Sequence, residues 1–481
     1  MLKEYSMIKF GTGGFRGVIG DDFNKENVSL VAQALSRIII NSGSKKSVAV
    51  GYDHRFGSDY FAAWIAETLA GNGVSCLLYT QPMPTPAVMT AVRDEGLDYG
   101  IMITASHNPY YFNGVKIFVT GGMDADVKFT DLLEKTVNTV SEVKNMPLDE
   151  AKASGLVRDY DNKQKYLENV FGFLSRDVDF SGIRILYDNL CGVGARCVEP
   201  MFKMVGIKNY DILHSEHDAF FSFTMPNPTE QAMSPLKEKV KTGAYDFAMA
   251  TDSDSDRLGI IDDKGNYVSS NDILACLYYY LVKYRNMKGD AVKNCATSMI
   301  LDKLAEKFGY ACHEVDVGFK NISAAIKRYD ALIGGESSGG LTVRGYIYGK
   351  DSVFSSMLFI EMVAAMKKPV SEIVEEVRKF AEYGYCCIED EIRFDSEEGL
   401  IEFLSAHTPR FVKPLLRHEC FNRNIKYYFE NGCWAMIRLS GTEPVFRVFA
   451  ECENSAECAA TVEKLRELIN SRSSESNKVV V

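Results

Sequence analysis

The pattern that decides the fold is complete within residues 47–69, SVAVGYDHRFGSDYFAAWIAETL. The run SVAVGYD (47–53) is apolar and ends in a charged loop, which is typical of a buried strand. Ser58 then stands at the start of a predicted helix with apolar residues on one face: these are Phe61, Ala62, Ile65, Ala66 and Leu69. A strand followed by such a helix is the repeating unit of α/β proteins with mostly parallel sheets.

The same strand-then-loop pattern recurs along the chain. It is present in GIRILYDN (182–189), YDFAMATD (245–252) and DALIGGE (330–336). IIDDKGNYV (260–268) instead predicts a hairpin with a Lys-Gly turn. This recurrence predicts repeated α/β architecture, although no short-period sequence repeat is present.

The length of 481 residues corresponds to about three to four domains at roughly 100–200 residues each. A charged stretch near residues 140–160 indicates a first break, and a second falls near 265–270. Pro369 and the YGYCC region place the start of a last unit between about residues 370 and 390.

Composition and charge exclude several classes of function. The net charge of −11 argues against nucleic acid or an anionic membrane as the main partner, although a local Arg/Lys cluster can still bind an anion. Twelve cysteines without a C-x-x-C pair predict reduced thiols. The N-terminal MLKEYSMIKF is too charged for a signal peptide, and no apolar run approaches the ~18 residues of a membrane span. We therefore expect a cytoplasmic protein. Its oligomeric state is left open.

The first loop whose side chains could take part in a reaction is TASHNP (104–109), which follows the apolar run YGIMI. It should therefore lie at the C-terminal end of a strand, where open α/β sheets place ligands. A serine there can act as a nucleophile or carry a phosphoryl group. Ser-His alone is more typical of a helix N-cap beside a turn, but six specified residues followed by Asn113, Gly114 and Lys116 favour the functional interpretation.

The second loop is DSDSDR (252–257), in which three aspartates alternate within one short turn. Their mutual repulsion is costly unless a hard cation lies among them. An EF-hand would need Gly at loop position six and Glu at position twelve, where this chain has Arg257 and Asp263. A solvated acidic loop does not explain why an apolar strand leads into three aspartates and an arginine. The loop predicts a Mg²⁺ site, with Arg257 directed towards an anionic ligand.

Two further loops predict contacts to a polar ligand. GGESSGG (334–340) combines a flexible backbone with Glu336 and Ser338, an acceptor and a donor suited to sugar hydroxyls. RLSGTEPVFR (438–447) lies between two strand-like runs and carries two arginines and two hydroxyls around a glycine. Arginine forks and backbone N–H groups in such a turn favour a phosphate cradle over a plain hairpin.

Taken in order, these loops and GTGGFRG (11–17) resemble the motifs of the α-D-phosphohexomutases. That superfamily contains phosphoglucomutases, phosphomannomutases and phosphoglucosamine mutases, and the resemblance runs from about residue 10 to about residue 451. It implies an α/β protein with four domains around a central cleft, three similar mixed α/β domains plus a smaller C-terminal α+β domain. One loop comes from each domain, and the expected domains are residues 1–150, 151–265, 266–380 and 381–481.

The resemblance implies a catalytic role for five side chains. Ser106 corresponds to the serine that carries the phosphoryl group, and His107 and Lys116 correspond to polar groups beside the reacting hydroxyl. Arg16 and Arg257 correspond to active-site arginines. The implied Mg²⁺ ligands are Asp252, Asp254, Asp256 and an oxygen of phosphorylated Ser106.

The resemblance also implies a hexose phosphate as substrate, with a sugar 1,6-bisphosphate as intermediate. Lys320, Glu336 and Ser338 correspond to contacts with the sugar. The last loop corresponds to a clamp on the non-reacting phosphate, made by Arg438, Ser440, Gly441, Thr442 and Arg447.

The chain departs from part of the superfamily at Gly340. In the phosphomannomutase/phosphoglucomutase branch, the sugar loop often reads GEMSGH and its histidine helps proton transfer. Glycine here favours glucose 1-phosphate and glucose 6-phosphate as substrates, with glucose 1,6-bisphosphate as intermediate, and leaves the proton carrier open. The alternatives are a phosphomannomutase, a phosphoglucosamine mutase, a phosphatase of the aspartyl-phosphate type and an inactive sugar-phosphate-binding protein.

Overall fold

The structure is a computed structural model that describes residues 8–11, 13–393, 400–421, 424–439 and 445–476. The strands of these segments form four sheets in chain order. Among the described residues, no helix combines the length and the apolarity that a bilayer span requires.

The first sheet has seven strands. They are β1 (Phe15–Val18), β2 (Ser47–Tyr52), β3 (Ser75–Tyr79), β4 (Tyr99–Ile103), β5 (Phe112–Val119), β6 (Met123–Asp124) and β7 (Val157–Tyr160). The helices of this region are α1 (Lys25–Ser42), α2 (Ser58–Gly71), α3 (Thr85–Asp94), α4 (Val127–Val137) and α5 (Leu148–Ala153). The strand order is β1-β5-β4-β2-β3-β7, with β6 beside β5.

The second sheet has five strands in the order β12-β11-β10-β8-β9. In chain order these are β8 (Arg184–Asp188), β9 (Asn209–Leu213), β10 (Phe247–Thr251), β11 (Leu258–Ile261) and β12 (Tyr267–Val268). The accompanying helices are α6 (Lys163–Phe173), α7 (Ala195–Val205) and α8 (Ser234–Lys241). The antiparallel pairing of β11 and β12 confirms the predicted hairpin.

The third sheet has four strands in the order β14-β13-β15-β16. These are β13 (Ala291–Asn294), β14 (Cys312–Val315), β15 (Ile333–Gly335) and β16 (Leu341–Val343). Its helices are α9 (Ser270–Lys283), α10 (Ile300–Phe308), α11 (Phe319–Tyr329), α12 (Ser352–Met366) and α13 (Val370–Phe380).

The fourth sheet is antiparallel throughout. Its strands are β17 (Cys386–Arg393), β18 (Leu415–Phe421), β19 (Asn424–Phe429), β20 (Trp434–Leu439) and β21 (Val445–Cys452), in the order β17-β21-β20-β19-β18. Its helices are α14 (Leu400–Ala406) and α15 (Ser455–Ser476). This all-antiparallel sheet with few helices is the expected smaller α+β unit.

The first three sheets share one core order, β5-β4-β2-β3, β11-β10-β8-β9 and β16-β15-β13-β14. In each, the first pair is antiparallel and the others are parallel. The middle strands are apolar because helices cover the sheet faces, and all five residues of β10 are buried. The three mixed α/β units and the fold class are therefore confirmed.

This shared order places the predicted loops at equivalent positions. Each of the first three connects the C-terminal end of a parallel strand to its antiparallel neighbour, in the order β4 to β5, β10 to β11 and β15 to β16. The fourth joins β20 to β21. Four loops of different sequence thus occupy the same kind of sheet edge, where α/β folds bind ligands.

One strand of the first sheet lies beyond the expected boundary at residue 150. β7 pairs with β3 in parallel, so the first sheet extends to Tyr160. The strand is short, with two exposed residues in its four, and such an edge strand has too little apolar pattern to be detected in a charged stretch.

Candidate active site

Ser106 lies just beyond the end of β4, in the loop that leads to β5. Its φ of +51° is in the left-handed region, which non-glycine residues rarely adopt. Its backbone N–H donates a 2.8 Å hydrogen bond to Thr104 Oγ1, and only 1% of the residue is exposed. The surrounding structure holds this serine in one strained orientation, as is common at functional sites.

Arg55 holds the serine loop through four backbone carbonyls. Its Nη1 donates to Pro109 at 2.8 Å and Phe112 at 2.9 Å. Its Nη2 donates to Ser106 at 2.5 Å and Asn108 at 2.6 Å. Arg55 was not predicted from the sequence, although it lies in the loop after β2 and equivalent strand ends carry the other candidate loops.

Asp53 joins the serine loop to the aspartate loop. Its Oδ2 accepts hydrogen bonds from Thr104 Oγ1 at 2.7 Å and Ser253 Oγ at 3.2 Å. Ser253 Oγ also lies 2.6 Å from the carbonyl oxygen of Ser106. Burial raises the pKa of the Asp53 carboxyl, while the charge of Arg55 acts to lower it. The first two domains are therefore fixed to each other at the serine.

The loop between β10 and β11 forms a candidate metal site. One oxygen from each of Asp252, Asp254 and Asp256 lies within 4.8 Å of the others, and all three residues are buried. The Oδ1 atoms of Asp254 and Asp256 accept no hydrogen bond from the described part of the chain. Unpaired buried carboxylate oxygens are costly, and hard divalent cations prefer such ligands. The donor set therefore fits a divalent cation.

Lysine neighbours partly neutralise this cluster. Lys116 Nζ lies 2.6 Å from Asp254 Oδ2 and 2.7 Å from Asp256 Oδ2. Burial would raise the pKa of Asp256, but Lys116 and Lys350 outweigh it and hold that pKa well below its usual range. Burial, reinforced by the other two carboxylates, raises the pKa of Asp252 well above its usual value.

Two arginines and one neutral imidazole lie close to one another at the serine loop. His107 Nδ1 lies 3.4 Å from Ser106 Oγ. Burial, followed by the charges of Arg257 and Arg16, holds the pKa of His107 well below its usual value, so the ring is neutral at pH 7. Burial and Arg257 lower the pKa of Arg16 to about 10, which leaves it charged, and Arg16 Nη1 donates to Asn108 Oδ1. The arrangement is suited to an anion beside a proton-accepting ring.

The loop GGESSGG (334–340) presents Glu336 as a fixed acceptor. Ser338 Oγ donates to Glu336 Oε1 at 2.7 Å, and Asn294 Nδ2 donates to Glu336 Oε2 at 3.2 Å. Lys350 lies 4.0 Å from the same carboxylate. Asn294 and Lys350 were not predicted, because neither belongs to a recognisable motif.

Arg438 and Arg447 are directly opposed partners on β20 and β21. Like charges in this position are destabilising unless an anion lies between them. Arg447 also forms ion pairs with Glu389 at 3.6 Å and Glu391 at 3.2 Å. The other predicted clamp residues, Ser440, Gly441 and Thr442, lie outside the described residues.

Most of the predicted residues line one cleft. Its lining includes Arg16, His107, Lys116, Asp256, Arg257, Lys320, Glu336, Ser338, Arg438 and Arg447. Ser106, Asp252 and Asp254 lie directly behind it, since Ser106 Oγ donates to Asp252 Oδ2 at 2.8 Å and Asp254 contacts Lys116. Asp124 also lines the cleft and was not predicted.

Family models match nearly the whole chain. The phosphoglucomutase/phosphomannomutase alpha/beta/alpha domains I, II and III match residues 7–144, 164–265 and 269–380, and the C-terminal domain of that family matches residues 391–468. The chain therefore belongs to the phosphoglucomutase/phosphomannomutase family, within the phosphohexomutase superfamily of isomerases that transfer a phosphoryl group.

Relatives with different substrate names are similarly close. A phosphoglucomutase/phosphomannomutase of Thermococcus kodakarensis is 26% identical, with 92% of this chain and 94% of the relative aligned. A phosphoglucosamine mutase of Nautilia profundicola is 28% identical over 96% and 99% of the two chains. A crystal structure from Thermus thermophilus, provisionally named a phosphomannomutase, has a TM-score of 0.84 and 28% identity over 97% of this chain and all of that one.

Proposed function

We propose that this enzyme interconverts glucose 1-phosphate and glucose 6-phosphate through a phosphorylated Ser106 and a glucose 1,6-bisphosphate intermediate. The observation that carries the proposal is the 2.8 Å hydrogen bond between the Ser106 hydroxyl and Asp252. It places a buried, fixed hydroxyl at the edge of a carboxylate cluster that fits a cation. The cationic cleft beside it is suited to a doubly phosphorylated sugar.

Mg²⁺ is the proposed cofactor. Asp252, Asp254 and Asp256 would hold it together with an oxygen of phosphorylated Ser106. When bound, the ion neutralises phosphate charge and so favours phosphoryl transfer.

The remaining chemistry belongs to the side chains around the serine. A sugar hydroxyl oxygen forms the new bond to phosphorus while the bond from phosphorus to Ser106 Oγ breaks. One proton leaves the sugar hydroxyl and one proton is taken up by Ser106 Oγ as the free serine is restored, so the step neither consumes nor releases a proton overall. Neutral His107, 3.4 Å from Ser106 Oγ, is placed to exchange a proton there. Lys116 and Arg257 stabilise the charge that spreads over the phosphoryl oxygens.

The second phosphate of the sugar must be held at the other end of the cleft. Arg438 and Arg447 supply two opposed guanidinium groups on the lining of the cleft, and Lys320 and Glu336 lie on the same lining. We assign the second phosphate to these arginines. The intermediate then turns around, so that its other phosphate faces Ser106. One clamp suffices because both phosphates of the intermediate are dianions.

The preference for glucose rests on the sugar loop GGESSGG with Gly340. Some related mutases are named for mannose or glucosamine phosphates, so the test must compare these sugars with glucose. Purified enzyme with Mg²⁺ and a trace of glucose 1,6-bisphosphate should turn over glucose 1-phosphate with a higher kcat/KM than mannose 1-phosphate or glucosamine 1-phosphate. A higher value for either competitor would reassign the substrate.

The same assay separates the other classes of function. A phosphatase would release inorganic phosphate in step with sugar consumption, whereas a mutase releases almost none. An inactive binding protein would bind the sugar phosphates without turnover. We further propose a cytoplasmic location, consistent with twelve free cysteines.

A further inference from the structure

The volume above Gly340 in the sugar loop is filled by another part of the chain. A Cβ added to Gly340 would lie 2.1 Å from Cδ and 2.6 Å from Cγ of Lys350. Real Cβ atoms essentially never lie within 3.0 Å of a non-bonded heavy atom, so a side chain at position 340 and the Lys350 stem in its present position exclude each other. Lys350 can therefore occupy its present position only because residue 340 is a glycine.

The ammonium group of Lys350 lies on the lining of the cleft. Its Nζ lies 3.1 Å from Asp256 Oδ2 and 4.0 Å from Glu336 Oε1. Only 18% of the Lys350 side chain is exposed. The lysine thus places a positive charge between the aspartate cluster and the Glu336 carboxylate, on the wall of the cleft.

The position of Lys350 is fixed by its neighbour in the chain. Asp351 is fully buried, accepts hydrogen bonds from the hydroxyls of Tyr166 at 2.9 Å and Tyr346 at 2.7 Å, and caps α12 through Phe354 N at 2.9 Å. Because this residue is anchored, the Lys350 backbone cannot move away easily. A fixed wall can discriminate between ligands, whereas a mobile one adapts to them.

We propose that Lys350 is a specificity-determining residue that selects against amino sugars. Its ammonium repels a protonated amine on the sugar, and its stem limits the space beside Gly340. The inference rests on the proposed hexose-phosphate activity. Glucosamine phosphate carries an ammonium group at neutral pH, while glucose and N-acetylglucosamine phosphates carry neutral groups at the same carbon. The charge of Lys350 should therefore act on glucosamine phosphate, and the volume of its stem should act on the larger N-acetylglucosamine phosphate.

The charge is tested with Lys350→Met, which keeps an unbranched stem of similar volume. We expect the ratio of kcat/KM for glucosamine 1-phosphate to that for glucose 1-phosphate to rise about tenfold, as the loss of one close like-charge contact predicts. The corresponding ratio for N-acetylglucosamine 1-phosphate should stay within about twofold of the parent. Lys264→Met, at an exposed lysine in a hairpin turn, is the matched control and should change neither ratio.

The stem is tested with a double-mutant cycle. Gly340→Ala alone should lower kcat/KM for glucose 1-phosphate about tenfold, because the added methyl group displaces Lys350. In a Lys350→Ala background, the same Gly340→Ala change should have little effect. Lys350→Ala should also raise the relative kcat/KM of N-acetylglucosamine 1-phosphate, which Lys350→Met does not.

The outcomes separate this inference from the proposed function. A parent enzyme without turnover of any hexose phosphate would reject the proposed function. An active parent whose glucosamine ratio is unchanged in Lys350→Met would reject the role of the Lys350 charge. Additive effects of Gly340→Ala and Lys350→Ala would reject their steric coupling. Measuring the binding of the three sugar phosphates in a Ser106→Ala background gives the corresponding affinity ratios without turnover. If Lys350→Met changes kcat/KM but leaves these affinity ratios unchanged, selection of the bound sugar by Lys350 would also be rejected.

Discussion

Ser106 donates a 2.8 Å hydrogen bond to Asp252, a residue 146 positions later in the chain. The two residues follow equivalent strands, β4 and β10, of two sheets with the same core order. The contact therefore forms because the first two domains face each other with the equivalent edges of their sheets. It places the proposed phosphoryl carrier against the proposed metal ligands.

Replacement of Ser106 by alanine should abolish turnover. The loss of the nucleophile should lower kcat by at least about 10³-fold, and the mass of the intact protein should no longer include a phosphorylated form after incubation with glucose 1,6-bisphosphate. Sugar-phosphate binding should persist, because the cationic cleft is unchanged. Normal turnover in Ser106→Ala, or a phosphoform that survives the change, would contradict the assignment of Ser106.

Removal of the metal should abolish activity reversibly. Chelation should stop turnover and added Mg²⁺ should restore it, since the unpaired oxygens of Asp254 and Asp256 need a cation. Asp254→Asn should lower activity more than about 100-fold. Asp262→Asn is the matched control, because the Asp262 carboxylate accepts hydrogen bonds from backbone N–H groups of its own hairpin turn, including that of Lys264. Full activity after exhaustive chelation would reject the metal site.

Arg55 should act as a positioning residue for the serine loop. Arg55→Lys cannot reach all four carbonyls, because lysine donates from a single point. We expect slower phosphorylation of Ser106 and a lower kcat with little change in KM, together with a loss of about 2–4 kcal/mol of stability from unpaired buried carbonyls. Arg158→Lys, at an exposed arginine on β7, is the control. A higher KM in Arg55→Lys, with the rate of Ser106 phosphorylation unchanged, would assign Arg55 to substrate binding instead.

The sequence predicted those parts of the site that are local in the chain. The aspartate loop and the serine loop are each complete within a few residues, so their chemistry is visible without a fold. Arg55 reaches the serine loop because β2 and β4 are neighbours in the first sheet, and Lys350 reaches Asp256 because the third domain packs against the second. Neither arrangement is visible in the local sequence. β7 was missed for a related reason, because its pairing with β3 depends on a crossover and not on its own pattern. The fold class was predictable because the strand-then-loop pattern repeats.

Arg447 should be needed for binding more than for chemistry. Arg447→Ala removes one of two opposed guanidinium groups, and the loss of a charged hydrogen bond to phosphate should raise KM for glucose 1-phosphate about tenfold to 100-fold. Phosphorylation of Ser106 should remain detectable by intact mass. Arg417→Ala serves as the control, because Arg417 is an exposed arginine of the same sheet that pairs with Glu419. Equal KM values in the parent and Arg447→Ala would remove Arg447 from the clamp.

Asp351 should make the stability of the enzyme depend on pH between about 4 and 6. Burial raises its pKa to about 6, although the hydrogen bonds from Phe354 N, Tyr346 and Tyr166 act to lower it. In the unfolded chain its pKa is about 3.9. The folded state thus holds the proton more tightly, so this residue's contribution is greatest below about pH 4, falls as the pH rises, and levels off above about 6. The full change is on the order of 3 kcal/mol.

Asparagine cannot ionise and is also a good helix N-cap, so Asp351→Asn isolates this titration. The difference in the free energy of unfolding between Asp351→Asn and the parent should therefore shift in favour of the variant as the pH rises from 4 to 7. Urea unfolding followed by circular dichroism at several pH values measures it. Because any hydrogen bond lost in the variant lowers its stability equally at every pH, only the pH-dependent part of the difference reports on Asp351. A difference that stays constant over this range would show that Asp351 keeps an ordinary pKa in the folded protein.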